Sequence, residues 1–200
     1  MNQQIILASG SRQRRLIMDS LGIEYEIIPA DIDEKAIRDE DLVLRAEKIA
    51  RAKAEEVAKN NQGIIIAADT FVSCNGVVLE KPKDLNEAVE MLRLERNKEI
   101  TFYTGFCYLD EDNKINFSKT SVSKSIMRNF SDDEIENFVK NTPVLQWSAA
   151  FSPMYLYQTT FLKHFEGSIM GIFGLPTEFL IECLEKSGVE IKCSEWKENE

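Results

Sequence analysis

Residues 63–70 read Gly-Ile-Ile-Ile-Ala-Ala-Asp-Thr, and no other stretch constrains the fold as strongly. Five apolar residues in succession suit a strand buried on both faces, not one that alternates between core and water. Such a strand needs helices on each side of its sheet. The chain supplies them: Leu42, Val43, Ala46, Ile49, Ala50, Ala54 and Val57 recur at three- and four-residue steps and predict an amphipathic helix over about 39–59. Upstream, residues 4–8 predict a strand, 9–11 a tight turn, and Leu16, Ile17 and Leu21 a helix stopped at Gly22. A second strand at 25–28 is closed by Pro29.

Downstream, Asn75-Gly76 signals a hairpin into a strand at 77–79, and a helix is expected over 85–93. Strands at 100–109 and 114–127 flank a polar turn. Ser131-Asp-Asp-Glu134 is a capping box opening a helix to about Lys140. Residues 147–157 give no clear pattern; a strand at 159–165, a helix at 176–186, a last strand at 189–193 and a frayed acidic end at 195–200 complete the reading. Strands and helices alternate, so the expected class is α/β with a mixed sheet. The chain's 200 residues, 44% hydrophobic and 29% charged, suffice for one domain or two small lobes without structural metal.

The net charge of −10 argues against a nonspecific nucleic-acid binder, which normally carries excess Lys and Arg. No apolar run reaches the roughly 18 residues of a membrane span, and the start lacks a signal-peptide pattern, so a cytoplasmic protein is expected. Cys74, Cys107, Cys183 and Cys193 form no CxxC pair, which leaves free thiols in place of a zinc ribbon or redox pair. The only histidine, His164, sits among Phe161, Leu162 and Phe165, where a structural role is expected over a catalytic triad.

Three regions carry candidate chemistry. Gly10 and Ser11, the expected N-cap, are followed by Arg12, Arg14 and Arg15 at the start of the first helix. Cations there oppose the helix dipole at about 0.3–1 kcal/mol each, a cost that a bound phosphate offsets. The alternative is a solvated basic turn. Asp31, Asp33 and Glu34 lie close enough in sequence to share a divalent cation or simply to form an exposed acidic loop. Asp69 falls where the apolar run gives way to polar residues, a position from which a carboxylate can hold Mg²⁺ or activate water; its alternative is an Asx-turn with Thr70. Lys53 and Lys81 are either surface lysines or further cations of the same site. Together, acids and several cations on separate loops of an acidic protein suit a nucleoside triphosphate better than a nucleic acid.

At the level of motifs the chain resembles the Maf family of nucleoside triphosphate pyrophosphatases, once named for septum inhibition. The resemblance rests on Leu7-Ala-Ser-Gly-Ser11 with Arg14-Arg15, Ala30-Asp-Ile-Asp-Glu34, Arg51-Ala-Lys-Ala54, Ala68-Asp-Thr70, Lys81-Pro82 with Asp84, residues 101–105, Glu166-Gly-Ser168 and Gly174-Leu-Pro176. It implies a single domain over residues 1–200: an elongated, two-lobed α/β fold with a mixed twisted sheet and a deep central cleft. It also implies a house-cleaning hydrolase that cuts between the α- and β-phosphates with Mg²⁺ or Mn²⁺. Ser11, Arg14, Arg15, Lys53 and Lys81 would then bind substrate, Glu34 and Asp69 would hold metal, and Asp69, Glu34 and Lys81 would serve catalysis.

Three departures stand out. Gln13 replaces an expected arginine, Ser148-Ala-Ala-Phe-Ser-Pro-Met154 replaces a block that normally ends in a glutamine, and Ser168-Ile-Met-Gly-Ile-Phe-Gly174 replaces a Ser-Tyr-Ser-Asn pattern. They fall on the base pocket and leave dTTP/UTP and modified nucleotides such as 7-methyl-GTP both open. A nucleotide-binding regulator of septum formation and a sugar phosphatase are the competing classes; a homodimer contact near residues 154–157 is a further expectation.

Overall fold

The computed structural model describes residues 3–152 and 156–191. The apolar run proves to be the first half of a longer strand, β3 (Ile64–Cys74), because Thr70-Phe-Val-Ser-Cys74 continues with β-formers and pairs with a neighbouring strand along its whole length. This corrects the placement of Asp69 at a strand end. It sits mid-strand, opposite Gly105, and makes no Asx-turn with Thr70.

β1 (Ile5–Leu7), α1 (Arg12–Ser20), β2 (Glu26–Ile27) and α2 (Leu42–Ala58) precede β3; β2 is two residues shorter than expected. Asn75 and Gly76 both take positive φ and turn β3 into β4 (Val77–Leu79). Then come α3 (Leu85–Glu95), β5 (Glu99–Asp110), β6 (Ile115–Met127) and α4 (Asp132–Asn141), whose Ser131–Glu134 capping box is formed in both directions. Residues expected as strand from 159 begin as a 3-10 segment, Leu156–Phe161, because Phe161 turns into the core; β7 (Leu162–Glu166) starts only after it. α5 (Ile169–Ile172) and α6 (Thr177–Lys186) follow, and residues 189–191 form no strand. The rest of that expected strand and the acidic end lie outside the described residues, as do residues 154 and 155 of the expected dimer contact.

The sheet runs β2-β1-β3-β5-β6-β7, parallel at β2/β1/β3 and antiparallel beyond. β5 covers one edge of β3 completely. On the other edge β1 pairs only with Ile64–Ile66 and β4 only with Val72–Cys74. Between them β3 has no strand partner on that side among the described residues, and there the cleft opens. Ile65 and Ala67 pack on Ala50, Ala54 and Val57 of α2, while Ile64, Ile66 and Ala68 pack on α1 and α6. Val72 and Cys74 enter a separate cluster with α3, α4, Trp147 and Phe151. One strand thus threads both lobes of a mixed α/β fold. Among the described residues no helix is long and apolar enough to cross a membrane. Cys74, Cys107 and Cys183 are free and buried.

Candidate active site

Strand alternation sends Asp69 to the α2 face and Thr70 to the α1 face, so two adjacent residues anchor two different sets of side chains. On the α2 face, Lys53 is 8% exposed, and its Nζ lies 2.6 Å from Asp69 Oδ1 and 2.8 Å from Glu34 Oε1. Glu34 reaches this point from a 3-10 turn at Glu34–Ala36, capped by Asp33, whose side chain accepts from the Lys35 and Ala36 amides. The acidic trio therefore divides: Asp33 shapes the turn, Asp31 faces solvent, and Glu34 joins the cleft.

On the other face Arg14 is buried and fully engaged. Its Nε donates to Gly174 O at 2.7 Å, Nη1 to Ser9 Oγ at 2.8 Å and Nη2 to Thr70 Oγ1 at 3.2 Å. Burial lowers its pKa from the ordinary value, against the pull of Asp69 and Glu34. Ser11 occupies the N-cap, but its hydroxyl donates to Gln13 Oε1 at 3.0 Å and caps nothing, so the first N–H groups of α1 keep no side-chain partner. Gln13 Nε2 in turn reaches Ser152 Oγ at 3.4 Å, spanning the cleft mouth.

The cleft measures about 1130 Å³, enough for a nucleotide. Ser11, Arg14, Arg15, Glu34, Lys53, Asp69 and Lys81, drawn from stretches distant in sequence, all line it. Seven cationic side chains (Arg12, Arg14, Arg15, Lys35, Arg45, Lys53 and Lys81) face three carboxylates (Glu34, Asp69 and Glu80). A protein of net charge −10 has concentrated positive charge in one hollow. Among the described residues no carboxylate pairs with Lys81, which is exposed. Phe102, Trp147 and Phe151 form an apolar wall, with Ser148 and Gln146 beside it. The model of the family of Maf-like proteins matches residues 4–187.

The chain belongs to the Maf family. It is 33% identical to the dTTP/UTP pyrophosphatase of Syntrophomonas wolfei subsp. wolfei over 186 residues, 92% of this chain and 98% of that one. It is 35% identical to the dTTP/UTP pyrophosphatase of Pyrococcus furiosus, over 92% of this chain and 95% of the other. Among solved structures the Staphylococcus aureus Ham1 protein superimposes with a TM-score of 0.53 at 16% identity, covering 92% of this chain and all of that one, a likeness of fold alone.

Two cleft residues of this Maf protein escape the sequence reading. Arg45, buried near the start of α2, stacks 5.0 Å over the Phe71 ring and pairs with Glu80 at 2.9 Å; Arg38 reaches the same Glu80 oxygen at 3.0 Å. The two guanidiniums, Arg45 first, hold the Glu80 carboxyl below its ordinary pKa against the opposing effect of burial. No local signal marks the pair: Asp41 caps α2 and already accepts from its Val43 and Leu44 amides, so Arg45 reads in sequence as an ordinary helix cation. Near them, Ala149 and Ala150 both take positive φ, held by Ser148 Oγ donating to Thr70 O and Ala149 N donating to Glu80 O.

Proposed function

We propose that this Maf protein is a nucleoside triphosphate pyrophosphatase that cuts the α–β phosphoanhydride of dTTP or UTP, releasing nucleoside monophosphate and pyrophosphate. The observation that carries the reading is the Glu34–Lys53–Asp69 cluster beside the open margin of β3, in a hollow where cations outnumber acids seven to three. The names of its relatives support the pyrimidine choice over modified nucleotides.

In this reading Lys81, Arg12, Arg15 and the first amides of α1 receive the phosphate chain, and Arg14 holds α1, β3 and the Gly174 loop in register beneath it. Ser11 positions Gln13 at the mouth. Asp69 orients the attacking water and takes its proton as oxygen bonds to the α-phosphorus and the bridging oxygen leaves with pyrophosphate. Lys53 and Lys81 stabilise charge gathering on the leaving oxygens.

Glu34 and Asp69 fit a divalent cation such as Mg²⁺ or Mn²⁺, because both already converge on one positive group. Among the described residues no group of three or more His, Cys, Asp or Glu could hold a metal ion, so water and phosphate oxygens would have to complete the ligands of an ion held by these two carboxylates. Such an ion supplies charge neutralisation at the reacting phosphate.

The test is incubation of the purified protein with a nucleotide panel and Mg²⁺ or Mn²⁺. Pyrophosphate from dTTP or UTP is expected. Binding without product points to the regulator, and orthophosphate to a phosphatase.

A further inference from the structure

Lys53 lies where an ion held jointly by Glu34 and Asp69 would have to enter. Its Nζ contacts both carboxylates, at 2.8 and 2.6 Å, and its side chain is nearly buried. We propose that Lys53 is a resident cation that competes with divalent metal: the ammonium must leave the carboxylate pair before an ion binds there, and leaving brings it out towards the phosphate-binding side of the cleft. This deepens the pyrophosphatase reading and rests on it.

The physical argument is one of charge. Two carboxylates hold one ammonium in a confined place, and Arg14, which also feels Asp69 and Glu34, sits on the far side of β3. Adding a divalent ion while the ammonium stays would press like charges together beside the nearly buried Lys53 and Asp69, with only Glu34 open to water. The lysine stem can yield, because only its head is paired and the cleft lies open beside it, whereas the helix that carries it cannot. Gly105 brings α2 into backbone contact with β5 at Ala46, which fixes the helix. Metal without nucleotide therefore binds weakly. Metal with nucleotide binds well, since phosphate oxygens receive the displaced ammonium, and by linkage each strengthens the other.

The experiment titrates Mn²⁺ without nucleotide, following the free ion by its paramagnetic resonance signal, on the wild type, Lys53→Met and Lys53→Arg. Lys53→Met is expected to bind Mn²⁺ at least about tenfold tighter than wild type despite losing turnover. Lys53→Arg, which keeps a cation, is expected to gain nothing. Equal or weaker binding by Lys53→Met overturns the proposal.

A second measurement needs no variant and covers the case in which Lys53→Met fails to fold. Amine acylation of the wild type, read by peptide mass spectrometry, should show Lys53 labelling rise several-fold in Mn²⁺ at the concentration that saturates the wild type in the titration, relative to exposed Lys140 on α4. Unchanged labelling also overturns it. Pyrophosphate release with unshifted Mn²⁺ affinity refutes the displacement only; displacement without pyrophosphate from any nucleotide refutes the pyrophosphatase reading.

Discussion

Gly105→Ala tests whether the backbone contact between α2 and β5 positions the site. A Cβ at Gly105 would lie 2.0 Å from Ala46 O, 2.3 Å from Ala46 C and 2.9 Å from Glu47 N. All three are backbone atoms of α2, so no side chain can rotate away, and the helix must retreat by roughly 1 Å or more to regain ordinary contact. Overpacking of this kind costs about 1–3 kcal/mol, and a rigid backbone neighbour places this case at the upper end. Lys53 lies about two turns along the same helix, so the retreat carries Nζ away from an Asp69 oxygen now at 2.6 Å. Ångström-scale misplacement of such a group costs on the order of 10²-fold in turnover. Urea unfolding followed by circular dichroism measures the first effect and pyrophosphate release the second; both should fall together. A variant with wild-type midpoint and turnover would refute the claim that this glycine sets the height of α2.

Asp69→Asn keeps the shape and should retain the fold, as judged by circular dichroism, while turnover falls about 10²–10³-fold; undiminished release of pyrophosphate removes Asp69 from catalysis. Arg14→Lys preserves charge but cannot serve Gly174 O, Ser9 Oγ and Thr70 Oγ1 at once, so stability should drop by about 2–4 kcal/mol in urea. Lost turnover at an unchanged midpoint would make Arg14 a substrate ligand in place of a structural tie. Glu95 is fully buried, and among the described residues nothing hydrogen-bonds its carboxylate oxygens. Burial raises its pKa well above the ordinary 4.5. The folded protein then keeps a proton that the unfolded chain releases, so stability from this group is complete below pH 4.5 and declines as pH rises. Glu95→Gln should flatten the loss of stability as pH rises above 4.5; an unchanged pH profile contradicts the assignment.

Most elements were legible because periodicity and caps are local: the α2 stripe, the Ser131–Glu134 box and the Asn75-Gly76 turn all appear where their residues predict them. The convergence of the site residues was legible only as a combination of short motifs. The misreadings share a cause. Asp69-Thr70 looks like a strand terminus because polar residues normally end apolar runs, yet β5 pairs straight through them, and the strand carries this cleft residue in its interior. The Arg45–Glu80 pair spans 35 positions and has no local pattern. The bond from Arg14 to Gly174 O, 160 residues away, likewise has no local signal.

The stretch of β3 without a strand partner also leaves main chain for other groups to cover. Five residues, Ala67 to Phe71, run about 16 Å with no strand partner on one side among the described residues, a length that could otherwise pair with an extended peptide. The Ser148 hydroxyl, seated on Thr70 O, acts as a stopper against such pairing. Losing that hydroxyl would bare a further acceptor on the strand, so Ser148 serves the sheet as well as the cleft it lines.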